Sequence, residues 1–185
     1  MNPTCPKCKE SELTRGHVPH ELAGDHEVLN CGRCHGTWLA QATAEQMVLA
    51  GAPLSLEDVE STPEDDADRR TGVCPHRHGI MLRARVHLSE PFYLERCPHC
   101  GGIWFDAGEW NRLAGSYLLE HLEDFWDPAW QQRMRKQLDH EDYEARLREE
   151  LGDEVFGLLV KLAGELKDHP RRGRALAYLR QEMMS

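Results

Sequence analysis

Cys97-Pro98-His99-Cys100-Gly101-Gly102-Ile103-Trp104-Phe105-Asp106-Ala107-Gly108-Glu109 sets two thiols two residues apart, then two glycines, a short aromatic run and an acidic helix start. A weaker copy lies 66 residues upstream, Cys31-Gly32-Arg33-Cys34-His35-Gly36-Thr37-Trp38-Leu39. Aligning Cys31 with Cys97 puts Cys34 on Cys100, Gly36 on Gly102, Trp38 on Trp104 and Met47 on Leu113 without a gap. Matches of this kind at fixed spacing mark an internal repeat. Each copy has a partner further upstream: Cys5-Pro6-Lys7-Cys8 for the first, Cys74-Pro75-His76-Arg77-His78 for the second.

Two thiolates on one tight turn can face a single ion without strain, and two such turns supply the four ligands of closed tetrahedral zinc. The first site is therefore Cys5, Cys8, Cys31 and Cys34. The 22 residues between Cys8 and Cys31 leave room for a β-hairpin, with strands at 13–15 and 27–30 and a turn at 22–26. The second site takes Cys74, Cys97 and Cys100. Arg77 stands where a fourth cysteine is expected and cannot bind zinc. His78 is the preferred fourth ligand, since C-x3-H falls within zinc spacing and His78 precedes Gly79 as Cys100 precedes Gly101. His76 is the alternative. Two zinc ions per chain follow.

The second hairpin is expected from alternation over 79–88, with Ile80, Leu82, Ala84, Val86 and Leu88 on the buried face. Phe92–Arg96 returns antiparallel to it, and Ile103–Phe105 completes the sheet. Asp106 and Glu109 read as the cap of a short helix, as do Thr43 and Gln46 in the first copy. The fold class is a small metal-bound α+β protein: two zinc ribbons, each a three-stranded antiparallel sheet followed by a short helix, with an all-α C-terminal tail. The divisions are 1–52 for the first ribbon, 53–72 for an acidic linker, 73–115 for the second ribbon and 116–185 for the tail.

The tail carries Asp127-Pro128 as a helix start. Trp130, Met134, Leu138, Ala145, Leu147 and Leu151 recur at roughly helical spacing, and Gly152 is a candidate break. Val155, Leu158, Leu159, Leu162 and Leu166 then make an apolar stripe. His169-Pro170 ends that helix, and Ala175 to Met183 form a last amphipathic one. Helices this short need a surface to cover, which points to an intramolecular hairpin, a protein partner or self-association through 116–185.

Net charge is −10 over 185 residues. The segments carry −2 over 1–52, −5 over 53–72, +1 over 73–115 and −4 over 116–185. Such a balance disfavours nucleic acid, which is held by clustered Lys and Arg. Arg77, Arg83, Arg85 and Arg96, with Phe92, Tyr93 and Trp104 to stack on bases, keep a nucleic-acid-binding ribbon as the runner-up. A zinc hydrolase would need an open metal position, with Glu95 or Asp106 as base, and no HxE or HExxH pattern supports it. No apolar run approaches the roughly 20 residues that span a bilayer. Seven cysteines, six of them in CxxC pairs, fit metal binding in a reducing cytoplasm better than a disulfide framework.

The pattern CP-x-C, hairpin, CP-x-CGG-x-W-x-D-x-GE resembles the bacterial zinc-ribbon family named after the zinc finger of transcription factor IIB. The residues that carry it are Cys74-Pro75 and Cys97 to Glu109. The first copy shares the cysteine pattern but departs at His35, Ala40 and Thr43, where the family has Gly, Asp and Glu. The resemblance implies a zinc-ribbon fold in two tandem copies. It implies little about activity, because fold does not fix function.

Overall fold

A computed structural model describes residues 3–8, 10–20, 24–50 and 70–184. Most of the 53–72 linker and part of the first hairpin turn lie outside these residues. The chain forms two compact units, Met1–Met134 and Arg135–Ser185.

The first unit is built on one antiparallel sheet. Strands β1 (Leu13–His20), β2 (Gly24–Cys31) and β3 (Thr37–Leu39) come from the first copy. Strands β4 (Leu82–Val86), β5 (Phe92–Arg96) and β6 (Ile103–Phe105) come from the second. The expected pair of three-stranded sheets is present, but they are not separate. β3 pairs with β6, giving a six-stranded order β1-β2-β3-β6-β5-β4. Thr37 faces Phe105, Trp38 faces Trp104 and Leu39 faces Ile103. Residues equivalent in the repeat thus exchange places about a local two-fold between the two tryptophans.

Alternation along the strands sorts side chains to two faces. Leu39, Ile103, Phe105, Ala84, Val86, Phe92 and Leu94 point to one face. Helix α1 (Gln41–Leu49) packs there through Ala44 and Met47, and α2 (Glu109–Ala114) through Trp110 and Leu113. Met47 and Leu113, aligned by the repeat, are both buried in this core. The other face carries Trp38, Trp104, Leu13, Leu29 and Met81 among the cysteines.

The first unit also takes in residues read above as tail. Two single turns of 3-10 helix, Leu119–His121 and Asp124–Trp126, precede the first tail helix. They bury Leu118, Leu119, Leu122 and Phe125 in the helical-face core. Helix α3 (Pro128–Leu166) starts where expected, with Asp127 Oδ1 accepting from the Ala129 N–H at 2.8 Å. Gln131 then closes the outer edge of β4. Its Nε2 donates to the carbonyls of Arg85 at 3.0 Å and Phe125 at 2.9 Å, and its Oε1 lies 3.1 Å from Nε2 of the buried His87. The bond to Arg85 occupies one carbonyl on the outer edge of β4, which blunts that edge as a template for further pairing.

Three local expectations are corrected. The alternation over 79–88 fails at its start: Ile80 and Leu82 are exposed while Met81 is buried. Chain before Leu82 still belongs to the metal-binding turn, where Ile80 bridges Val73 and Met81 N–H donates to Gly72. Helix α1 begins at Gln41, with Ala40 as a cap lacking a side-chain bond, so Thr43 caps nothing. Asp106 does not cap α2 with its carboxylate. Its backbone N–H donates to Glu109 Oε2 at 2.8 Å, while its side chain is taken by other groups.

In the second unit α3 is interrupted at Gly152 (φ 77°, ψ 158°), the break read from sequence. It ends at Leu166, and α4 (Arg172–Met184) follows with no buried residue. Leu158, Leu159, Leu176 and Tyr178 are all exposed, so α3 and α4 do not close over each other's apolar faces. No helix among the described residues is long and apolar enough to cross a membrane.

Candidate metal centres

The turns that present the thiols are alike in the two halves. In the first, Cys31 N–H donates to the Gly36 carbonyl and His35 N–H to that of Cys31, both at 2.9 Å. In the second, Cys97 N–H donates to Gly102 and Gly101 N–H to Cys97, again at 2.9 Å. The equivalent residues His35 (φ 56°) and Gly101 (φ 69°) both adopt the left-handed conformation that lets the turn close. Glycine takes it freely, and His35 takes it at some cost.

These turns gather two sets of donors. Cys5, Cys8, Cys31 and Cys34 form one, and Cys74, His78, Cys97 and Cys100 the other, each with its ligand atoms within 4.8 Å of one another. A tetrahedral ion with Zn–S bonds of about 2.3 Å holds its sulfurs about 3.8 Å apart. Cys5–Cys34 at 3.6 Å, Cys8–Cys31 at 3.9 Å and Cys74–Cys100 at 3.8 Å match that edge length. His78 Nδ1 lies 3.6 Å from the Cys74 sulfur and 3.8 Å from that of Cys97. A disulfide would need sulfurs about 2.05 Å apart, and all seven cysteines are free. The two donor sets fit two zinc ions, the first held by four thiolates and the second by three thiolates and an imidazole.

Arg77, in the left-handed conformation (φ 63°) and exposed, carries the chain one residue past the usual ligand position, so that His78 reaches the site. Gly79 at φ 113° completes the turn. His76 does not join this donor set. Its ring stands edge-on to Trp38, with centroids 6.0 Å apart.

Backbone N–H groups support the sulfurs: Cys8 donates to Cys5 at 3.3 Å, and His99 to Cys97 at 3.4 Å. Without metal the thiols resist ionisation unequally. Burial first, then neighbouring thiols, pushes Cys8 up to about 11. Burial pushes Cys74 up to about 12. Bonding to Cys5, with burial behind it, pushes Cys34 up. Burial opposes ionisation of Cys97 too, but the backbone N–H groups of Cys100 and His99 outweigh it and bring that thiol to about 7.

Between the two centres lies a buried polar cluster that sequence reading missed. Lys7, inside the first CxxC, sends Nζ to Glu95 Oε1 at 2.9 Å, to Asp106 Oδ2 at 3.3 Å and to the Arg70 carbonyl at 2.9 Å. Glu95 is fully buried and faces Arg83 across β4–β5, with Nε at 3.6 Å. Asp106 Oδ1 accepts the Trp104 indole N–H at 2.7 Å. Both carboxylates weighed above as catalytic bases are therefore engaged in holding the two halves together. The only sequence signal was a lysine within a metal-binding turn.

Glycines of each copy lie beneath the tryptophan of the other. A Cβ at Gly36 would collide with the Trp104 ring, and one at Gly102 with the Trp38 ring. The G-x-W spacing is thus read crosswise between the copies.

Residues 74–115 match the zinc-ribbon family described as a transcription factor zinc-finger. The match covers the second ribbon and leaves residues 5–34 outside it. No curated protein and no solved structure gives a significant match.

Proposed function

We propose that this chain is a protein-interaction module in which two structural zinc ions stabilise a platform, Met1–Met134, and the helices of Arg135–Ser185 engage a protein surface. The observation that carries this reading is the apolar stripe on α3 and α4. Leu158 is 63% exposed, Leu176 57% and Leu162 38%. Helices of this kind draw most of their stability from burying an apolar face, so the stripe calls for a covering surface. The metal sites support a structural role, because four protein donors close a tetrahedral ion and leave no position for a substrate.

The test compares wild type with a variant carrying Leu158→Glu, Leu162→Glu and Leu176→Glu. Wild type is expected to self-associate in light scattering or to retain a stoichiometric protein partner, and the variant to lose that association with its zinc content intact. Equal behaviour of the two proteins would reject the tail as the contact.

A transcription-associated, nucleic-acid-binding role is the second reading, favoured by the family description and by exposed Arg77 and Arg85. Phe92 and Trp104 are buried and cannot stack on bases. Arg96 pairs with Glu123 at 2.7 Å, and Arg83 lies over Tyr93 at 4.2 Å. This role predicts binding that weakens steeply with salt and with Arg77→Ala and Arg85→Ala together.

A further inference from the structure

Sequence alone suggests two ribbons on a charged tether, and tethered ribbons would bind their metals independently. The structure has a different organisation. Cys5 and Cys31 of the first site share one apolar cluster with Cys74 and Cys97 of the second, filled by Trp38, Trp104, Leu13, Leu29 and Met81. Strand β3, which follows the Cys31–Cys34 turn, is paired to β6, which follows the Cys97–Cys100 turn. A Cβ at Gly72, two residues before Cys74, would press on Pro6 between Cys5 and Cys8. Lys7 in the same turn reaches Glu95, two residues before Cys97.

We propose that the two zinc sites form one cooperative unit, in which occupancy of either raises the affinity of the other through the β3–β6 pairing and the Lys7–Glu95–Asp106 cluster. A small ribbon draws its folding free energy from its metal. When the first site is empty, the 5–8 and 31–34 turns lose their tether. Trp38 is then no longer held over Gly102, nor Lys7 against Glu95. The second site forms only after restoring those contacts, so part of its binding free energy is spent on the first half. Linkage is reciprocal, and loss of the second ion weakens the first by the same factor. The halves are joined directly among the described residues, by the β3–β6 pairing and by Lys7 Nζ on the Arg70 carbonyl.

The proposal is tested on the full chain by adding zinc in steps to metal-free protein and counting ions per molecule by native mass spectrometry. Cooperative loading lowers the one-zinc share at half saturation below that of the same two sites uncoupled. Independent sites of equal affinity would leave about half the molecules with one ion, and unequal ones more. Cobalt(II) absorption then follows the second site alone in the double variant Cys31→Ser, Cys34→Ser, which removes one whole turn of the first donor set. Its affinity is expected to fall about tenfold or more. Lys7→Met, which retains all eight ligands, is expected to raise the one-zinc share. Unchanged second-site affinity in that double variant would overturn the proposal, as would a one-zinc share in Lys7→Met no greater than in wild type.

Discussion

Trp38 and Trp104 stand directly opposite each other across the β3–β6 pairing, each ring filling the space over a glycine of the other's copy. A methyl group at either glycine must displace an indole from a packed face. Gly36→Ala and Gly102→Ala should each destabilise the first unit by about 1–3 kcal/mol, the usual cost of overpacking. Gly157 in α3 has nothing within 4 Å of an added Cβ, so Gly157→Ala should instead stabilise its helix by about 0.5–1 kcal/mol. Denaturant titration followed by tryptophan fluorescence and by far-UV circular dichroism would separate the two effects. Equal responses at all three positions would contradict the crosswise packing.

Elemental analysis gives the next outcome. Wild type should carry two zinc ions, and His78→Ala should lose metal from the second site. His76→Ala should retain both ions, since His76 faces Trp38 and stands outside the donor set. Loss of zinc in His76→Ala with retention in His78→Ala would reverse the assignment.

Zinc retention should depend on pH with a definite sign. Cys8 at about 11 and Cys74 at about 12 are protonated in the metal-free protein at neutral pH. Each must release its proton to bind, so each makes zinc affinity fall about tenfold per pH unit of acidification. Cys97 at about 7 adds to that slope only below neutrality. Competition with a chelator of known pH dependence, between pH 8 and pH 6, should therefore show a slope that steepens toward the acid end. A flat profile would mean that the thiols are already ionised without metal.

Gln131 satisfies a strand edge, a turn carbonyl and a buried histidine with one side chain. Gln131→Ala removes these three bonds and should cost about 1–3 kcal/mol in urea unfolding, with zinc content unchanged. A neutral substitution would show that water replaces the amide at no cost.

The metal ligands were legible because chemistry restricts them to few residue types at short spacing. The repeat was legible because Cys31–Trp38 and Cys97–Trp104 share an ungapped pattern. Union of the two sheets was not. β3 and β6 are three residues long and buried on both faces, too short to show a period, and nothing in Thr37-Trp38-Leu39 names its partner strand. Lys7 and Glu95 are 88 residues apart, and each alone reads as a surface charge. Ile80 followed the alternating pattern, but it bridges Val73 on the metal turn, and Leu82 opens β4 with its side chain exposed. Thr43 and Gln46 had capping-box spacing, yet α1 starts at Gln41, whose side chain occupies the space beside Gly101. Tertiary contacts decided each of these positions.

A symmetric dimer of identical ribbons joined by their third strands would be bound to its symmetry, since every substitution would appear twice. Carrying both halves on one chain removes that restriction. One half has Lys7 where the other has His76, and Ala40 where the other has Asp106. Two copies of Lys7 would each require buried carboxylate partners, and two copies of Asp106 would each require an indole and a cation. The fused protein meets these requirements once. The surface around the first metal is thereby free to diverge from that around the second, and a partner can tell the two ends of the sheet apart.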